Sequence, residues 1–226
     1  GPTVFVIGVL IYIIVFRKLV HQSKSAEELE VRSLLACFGL LFVIQNVMLL
    51  IILNLKLQLM FSTTIYLNEP VTILGETLQL NKIVATFMAI IISVLLYVML
   101  RSTMVGLALR ATAQEPTGAQ VVGINISKVH MISFGLSVLL SAVAGSLLSM
   151  VYQNLSPLSG SQFTFIALAV IVIGGIGSFI GSLVGGFLIG YVYYVITKTD
   201  YLLTMPVVYA FLIIMLLVRP KGLFGR

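Results

Sequence analysis

Apolar residues fall into seven blocks along this chain, parted by polar or Gly- and Pro-bearing stretches. They are Val4–Phe16, Ser33–Leu53, Ile83–Leu100, Met131–Val151, Phe163–Ile176, Phe179–Ile196 and Pro206–Val218. A helix that crosses a bilayer needs about 20 apolar residues, with a range of about 17–25. The second, third, fourth and sixth blocks meet that length alone. The first, fifth and seventh are shorter, so tilting, a break or flanking apolar loop is expected there. Inside hydrocarbon an unpaired backbone N–H or C=O costs several kcal/mol, so each block predicts a helix. The pattern therefore predicts an all-α, polytopic transmembrane helical bundle of about seven membrane segments, with a short cytoplasmic helix between the third and fourth.

The polar stretches fix an orientation. If 17–32 is cytoplasmic, alternation puts 101–130 and the C-terminal tail on the same side. Those stretches hold Arg17, Lys18, Lys24, Arg32, Arg101, Arg110, Lys128, Arg219, Lys221 and Arg226, while only Lys56, Lys82 and Lys198 stay outside. Positive charge concentrates on cytoplasmic loops, so this topology is favoured over its inverse. The long outer loop 54–82 carries Ile65–Leu67 and Val71–Leu74 around Asn68-Glu69-Pro70, followed by Gly75-Glu76, Leu78 and Leu80. This pattern predicts a short strand hairpin or interfacial flap.

Composition sharpens the class. The 226 residues are 60% hydrophobic and 9% charged, whereas soluble domains hold roughly 25% charged residues. A soluble enzyme, a disordered chain and a disulfide scaffold are excluded. The net charge of +6 sits between the apolar blocks, where orientation accounts for it and nucleic acid is not needed. Cys37 is the single cysteine, and His21 and His130 lie far apart, so neither an intrachain disulfide nor a metal site is expected. The chain starts Gly1-Pro2-Thr3 and enters an apolar block without a basic region or cleavage site. It reads as a piece without its true N-terminus rather than as one starting with a signal peptide.

No Asp, Glu, Lys or Arg stands inside any block. Proton relays and voltage sensors need such groups, so a gradient-driven carrier or channel is the weaker alternative. The G-x-x-x-x-G-K-[ST] phosphate loop is also missing, and no nucleophile–base set stands out. The chain reads as a non-enzyme whose motive force comes from another subunit.

Uncharged polar residues remain. Gln45, Asn46, Thr86 and Ser93 lie in apolar blocks, and Gln153 and Asn154 follow one, ahead of Ser156-Pro157. They serve either as interhelical hydrogen-bonding groups or as the lining of a substrate path. Glycines crowd 174–190. Gly177, Gly181 and Gly185 lie four apart, as do Gly186 and Gly190, and Ser141, Gly145 and Ser149 repeat the spacing. Such stripes let helices approach closely. The alternative is a broken or sliding helix, with Gly174-Gly175-Ile176-Gly177-Ser178 as the place of the break. In 101–130, Leu107–Glu115 favours helix, Pro116 and Gly118 interrupt it, and Asn125 or Ser127 is placed to cap the next helix. A short helix shown to the cytoplasm between two spans suits a partner's groove.

Three stretches carry a resemblance: GLALRATAQEPTGAQVVGINISKVH, GGIGSFIGSLVGGFLIG and the ending RPKGLFGR. In that order and spacing the chain resembles the permease subunits of bacterial branched-chain amino acid ABC importers, and the LivH-like branch more than its sister. The likeness runs from about Gly8 onward and is strongest over Val105–Arg226. It implies one transmembrane permease domain over 1–226, N-terminally truncated against the family, with 101–130 as a cytoplasmic coupling loop. It also implies transport of leucine, isoleucine and valine across the prokaryotic inner (cytoplasmic) membrane. Urea, short amides or other amino acids are the alternative cargoes. The implied partners are a homologous second permease, two cytoplasmic ABC ATPases and an extracytoplasmic substrate-binding protein, with the lipid bilayer around them and no nucleic acid. No cofactor is implied, since ATP is bound by the ATPases. Arg110, Gln114, Glu115 and Gly123 are expected to couple to the ATPase. Gly174, Gly175, Gly177, Gly181 and Gly185 are expected to pack or gate, and Gln45, Asn46, Gln153 and Asn154 to line the path. Two departures stand out: an Asn-Phe-Ala-His-Gly-like motif is missing, and Pro116 interrupts a coupling helix expected to be continuous.

Overall fold

A computed structural model of the chain describes residues 2–17, 19, 26–55, 61–62, 70–73, 76–152, 154–175, 177–200, 203–219 and 222–224. Among them the helices are α1 (Pro2–Ile11), α2 (Ala26–Asn54), α3 (Leu80–Ser102), α4 (Met104–Gln114), α5 (Pro116–Val121), α6 (Ile126–Val151), α7 (Ser159–Gly174), α8 (Phe179–Thr199) and α9 (Thr204–Val218). A π-helical turn, Tyr12–Phe16, prolongs α1. Among the described residues, four helices are long and apolar enough to cross a membrane: Val31–Asn54 within α2, then α3, α6 and α8. These are the four blocks that meet the length on sequence alone. Pro2–Phe16, Ser159–Gly174 and Thr204–Val218 are the shorter apolar helices. Helices extend past their apolar blocks into charged turns. Glu28 and Arg32 form an i,i+4 ion pair in the first turns of α2, before its apolar stretch.

The chain forms two compact units, 1–157 and 158–226. In the first, α1 packs on α6 through two glycines. A methyl on Gly8 would stand 2.9 Å from Val138 Cβ, and one on Gly135 would stand 2.8 Å from Phe5 Cε2. At the π turn, Tyr12 and Phe16 both reach Phe134 on α6, with ring centroids 6.0 and 4.8 Å away. The Tyr12 hydroxyl donates to the Ser127 carbonyl at 3.4 Å. At the far end of α6, the buried Asn81 at the start of α3 donates through Nδ2 to the Met150 carbonyl at 2.7 Å. Two antiparallel ladders lie beyond that end. In one, β1 (Phe61–Ser62) meets β4 (Asn154–Leu155); in the other, β2 (Pro70–Ile73) meets β3 (Glu76–Gln79). The hairpin expected in the outer loop is thus present. It closes between Ile73 and Glu76, after Asn68-Glu69-Pro70 rather than around it. Ile65–Leu67, Asn68 and Glu69 lie outside the described residues.

In the second unit Ala169 and Ile173 of α7, Ile189 of α8 and Val208 of α9 form a buried core. In both units the chain ends that alternation assigns to one side meet each other. Phe61 pairs with Leu155, and Asn81 with Met150, on the outer side; Tyr12 meets Ser127 on the inner side. In the second unit the tail after α9 meets the end of α7, the Leu223 and Phe224 amides donating to the Ile173 and Gly174 carbonyls.

Candidate functional site

The loop between α3 and α6 is built by four local devices. Thr103 ends α3 and starts α4. Its hydroxyl donates to the Met99 carbonyl at 2.6 Å and accepts from the Gly106 amide at 3.1 Å. The second bond satisfies a helix-start amide left without an intrahelical partner, and the first adds to the bond that the Thr103 N–H already gives the Met99 carbonyl. Gly106 is buried at the corner, where a Cβ would run into the Leu100 carbonyl. The chain therefore turns from span to loop within one residue. Along α4, Thr112 is buried and its hydroxyl donates to the Ala108 carbonyl at 2.8 Å.

Pro116 occupies the first turn of α5, where its missing N–H has no cost. Glu115 is the non-helical residue between α4 and α5, at φ −147° and ψ 93°, and its carboxylate accepts from the Thr117 hydroxyl. The interruption expected at Pro116 is present, so the loop is two helices meeting at Glu115. Gly123 closes α5. It has φ +88°, its N–H donates to the Gln120 carbonyl, and the Ile124 N–H donates to the Ala119 carbonyl. That pair of bonds around a left-handed residue is the Schellman helix stop, which favours glycine at this position. Asn125 then caps α6, accepting from the Lys128 amide at 3.1 Å.

Arg110, Gln114 and Glu115 are all exposed, and Arg110 donates to the Arg101 carbonyl at 3.4 Å. Arg101 itself donates to the Tyr97 hydroxyl at 2.9 Å. The structure thus brings all four expected coupling residues onto one loop. At its tip stand two residues not singled out from sequence, Val121 and Val122, 88% and 81% exposed. The signal for them is an apolar pair inside a polar stretch, directly before a helix stop.

The expected break lies between Gly174, the last residue of α7, and Phe179, the first of α8. Ser178 caps α8, its hydroxyl accepting from the Gly181 amide at 3.0 Å. Main chain meets main chain here. A Cβ on Gly174 would strike the Gly181 backbone, and one on Gly181 would strike the Gly174 carbonyl. One on Gly185 would stand 2.8 Å from the Val170 carbonyl. Gly175 and Gly177 have φ of +98° and +85°, which carries the chain through the turn. The remaining glycines of the run differ. A Cβ on Gly186 would only touch Val170, at 3.8 Å, and no described atom lies within 4 Å of one on Gly177 or Gly190. Nor does any lie near Gly145, and Ser141 and Gly145 are exposed on α6. On α6 the expected stripe is thus open at Ser141 and Gly145 among the described residues, and Ser149 is half-buried.

The expected path residues that are described lie on two elements, Gln45 and Asn46 on α2 and Asn154 in β4. Gln45 is half-buried on α2; Asn46 is exposed there and donates back to the Phe42 carbonyl at 2.8 Å. Asn154 is in β4, opposite Ser62, and Gln153 lies outside the described residues. Among the described residues, no three His, Cys, Asp or Glu stand together as metal ligands.

The apolar spans, joined by the two-helix loop and the glycine joint, define a polytopic membrane protein. The family described as branched-chain amino acid transport system / permease component matches residues 3–218, and the chain belongs to that family. It is similar to the probable branched-chain amino acid transport permease protein LivH of Methanocaldococcus jannaschii, at 29% identity over 99% of this chain and 73% of that protein. It is also similar to the high-affinity branched-chain amino acid transport system permease protein LivH of Escherichia coli K12, at 34% identity over 66% of this chain and 48% of that protein. The ribose import permease protein RbsC of Haemophilus influenzae is 30% identical over 46% of this chain and 34% of its own length. The chain thus spans about half the length of the Escherichia coli relative it matches. No solved structure matches it. The chain is a multi-pass protein of the prokaryotic inner membrane.

Proposed function

We propose that the chain is the membrane-spanning permease subunit of an ABC importer that moves leucine, isoleucine and valine with ATP hydrolysed by partner subunits. Residues 1–226 act as one permease domain, and 101–130 is its coupling loop. The partners are a second, homologous permease, two cytoplasmic ATPases and an extracytoplasmic binding protein. The subunit carries no cofactor of its own, because the nucleotide belongs to the ATPases. One observation carries the reading: a two-helix loop, capped at Thr103, Gly123 and Asn125, holds two bare valines at its tip between α3 and α6. Two exposed valines on a loop that also exposes Arg110, Gln114 and Glu115 suit a groove with an apolar floor and a polar rim.

ATP binding draws the ATPases together and pulls on this loop. The corner at Thr103 and Gly106 has no slack, so the pull reaches α3 directly. The ATPase biases the two states of the path only through its different contacts with each. For a zwitterionic cargo with an aliphatic side chain, the outward face of α6 offers uncharged polar groups. Ser137 and Ser141 are exposed there, and their hydroxyls donate back to the Ser133 and Ser137 carbonyls. The oxygen lone pairs are left facing out, suited to an ammonium group.

The test is the double variant Val121→Asp/Val122→Asp in the full protein, co-expressed with its ATPases. Two carboxylates at the tip should abolish co-purification of the ATPase and leave membrane insertion intact. Unchanged co-purification would reject the loop assignment.

A further inference from the structure

The chain ends in Arg219-Pro220-Lys221-Gly222-Leu223-Phe224-Gly225-Arg226, a motif to which the transport reading gives no task. Three of its residues have partners in the second unit. The Leu223 N–H donates to the Ile173 carbonyl at 2.8 Å, and the Phe224 N–H to the Gly174 carbonyl at 3.1 Å. Those carbonyls close α7, where the helix has no donors of its own left. Gly222, at φ +78°, lies against the joint between α7 and α8. A methyl there would stand 2.6 Å from Gly175 Cα and 2.7 Å from the Val172 carbonyl. The Gly222 N–H donates to the Arg219 carbonyl at 2.9 Å, so the tail turns back directly after α9. Leu223 then packs on the core of Ala169, Ile173, Ile189 and Val208.

We propose that residues 222–224 are a backbone clasp that ties the inner end of α9 to the inner end of α7 across the glycine joint. Between Gly174 and Phe179 the chain leaves helical geometry, with two glycines at positive φ. Such a link alone would let α7 and α8 hinge. The clasp fills the open carbonyls of α7 with main-chain donors and seats Leu223 as a wedge. The three helices then move as one body. Its use in gating rests on the transport reading; the clasp itself does not.

The experiment is hydrogen–deuterium exchange on the full chain in lipid nanodiscs, without nucleotide or partners. The Leu223 and Phe224 amides should exchange at least ~tenfold more slowly than in an unstructured peptide. Gly222→Val should remove that protection and speed exchange across 175–181. Wild-type amides at 223 and 224 exchanging at the unstructured rate would overturn the clasp. If Gly222→Val loses helical circular dichroism, a chain ending at Arg219 replaces it, with the same faster exchange at 175–181 expected and an unchanged rate contradicting the proposal. In vesicles that also hold the ATPases and binding protein, the clasp variant should lower uptake of radiolabelled leucine while ATPase co-purification persists. Uptake equal to wild type would refute the role in gating. Wild-type vesicles that take up no leucine would refute the transport reading alone, because the exchange pattern is measured without it.

Discussion

Two glycines on α8 should respond oppositely to the same substitution. Gly181 faces the end of α7, where a Cβ would meet the Gly174 carbonyl oxygen, with the Gly174 carbonyl carbon at 2.8 Å and Ser178 Oγ at 3.0 Å. The first two obstacles are main chain and cannot rotate away. Overpacking of this kind costs about 1–3 kcal/mol. Gly181→Ala should reach the upper part of that range, since relief requires parting α7 from α8 and disturbing the Ser178 cap. Gly190, further along α8, is exposed, and a methyl added there would find no described atom within 4 Å. At that position the helix only gains propensity, by up to about 1 kcal/mol. The two variants should therefore differ by about 2–4 kcal/mol. Reversible unfolding of the isolated subunit in mixed micelles, titrated with denaturing detergent and followed by far-UV circular dichroism, reads that difference. Equal midpoints, or a larger loss for Gly190→Ala, would refute the assignment of faces.

Asn125→Ala removes the cap of α6 and should cost about 1 kcal/mol of stability, with Asn125→Asp restoring most of it in the same thermal melt. Asn81→Leu leaves the Met150 carbonyl without its donor, and a loss of about 1–3 kcal/mol is expected by detergent unfolding. Tyr12→Phe keeps the aromatic contacts with Phe134 and loses one long hydrogen bond, so it should cost about 0.5 kcal/mol, whereas Tyr12→Ala should cost about 3 kcal/mol or more. A Tyr12→Phe loss as large as that of Tyr12→Ala would assign the anchoring to the hydroxyl instead of the ring.

Much of this architecture is legible in the sequence because hydrocarbon leaves the backbone few options. Block length alone separates the four long spans from the three short ones. Loop chemistry is legible where one residue type has one local use: Pro116 restarts a helix, Asn125 caps one, and the Gly174–Ser178 stretch breaks one. What stays hidden depends on the partner surface. Gly181, Gly185 and Gly190 share a run, and spacing puts Gly190 on a different face of the helix from the other two, but it cannot say which face meets α7. Phe61 and Leu155 pair across the sequence through main chain, with no side-chain signature. The same holds for Leu223 and Phe224 on the end of α7. Val121 and Val122 escape a reading of the pattern because an apolar pair in a loop more often packs inward, and here the helix stop at Gly123 leaves both bare.

The most direct measurement is uphill leucine accumulation in reconstituted vesicles. The intact permease pair with its ATPases, binding protein and ATP should concentrate leucine, and the pair without the ATPases should not. Accumulation against a gradient by this polypeptide alone would contradict the assignment of its motive force to a partner at the 101–130 loop.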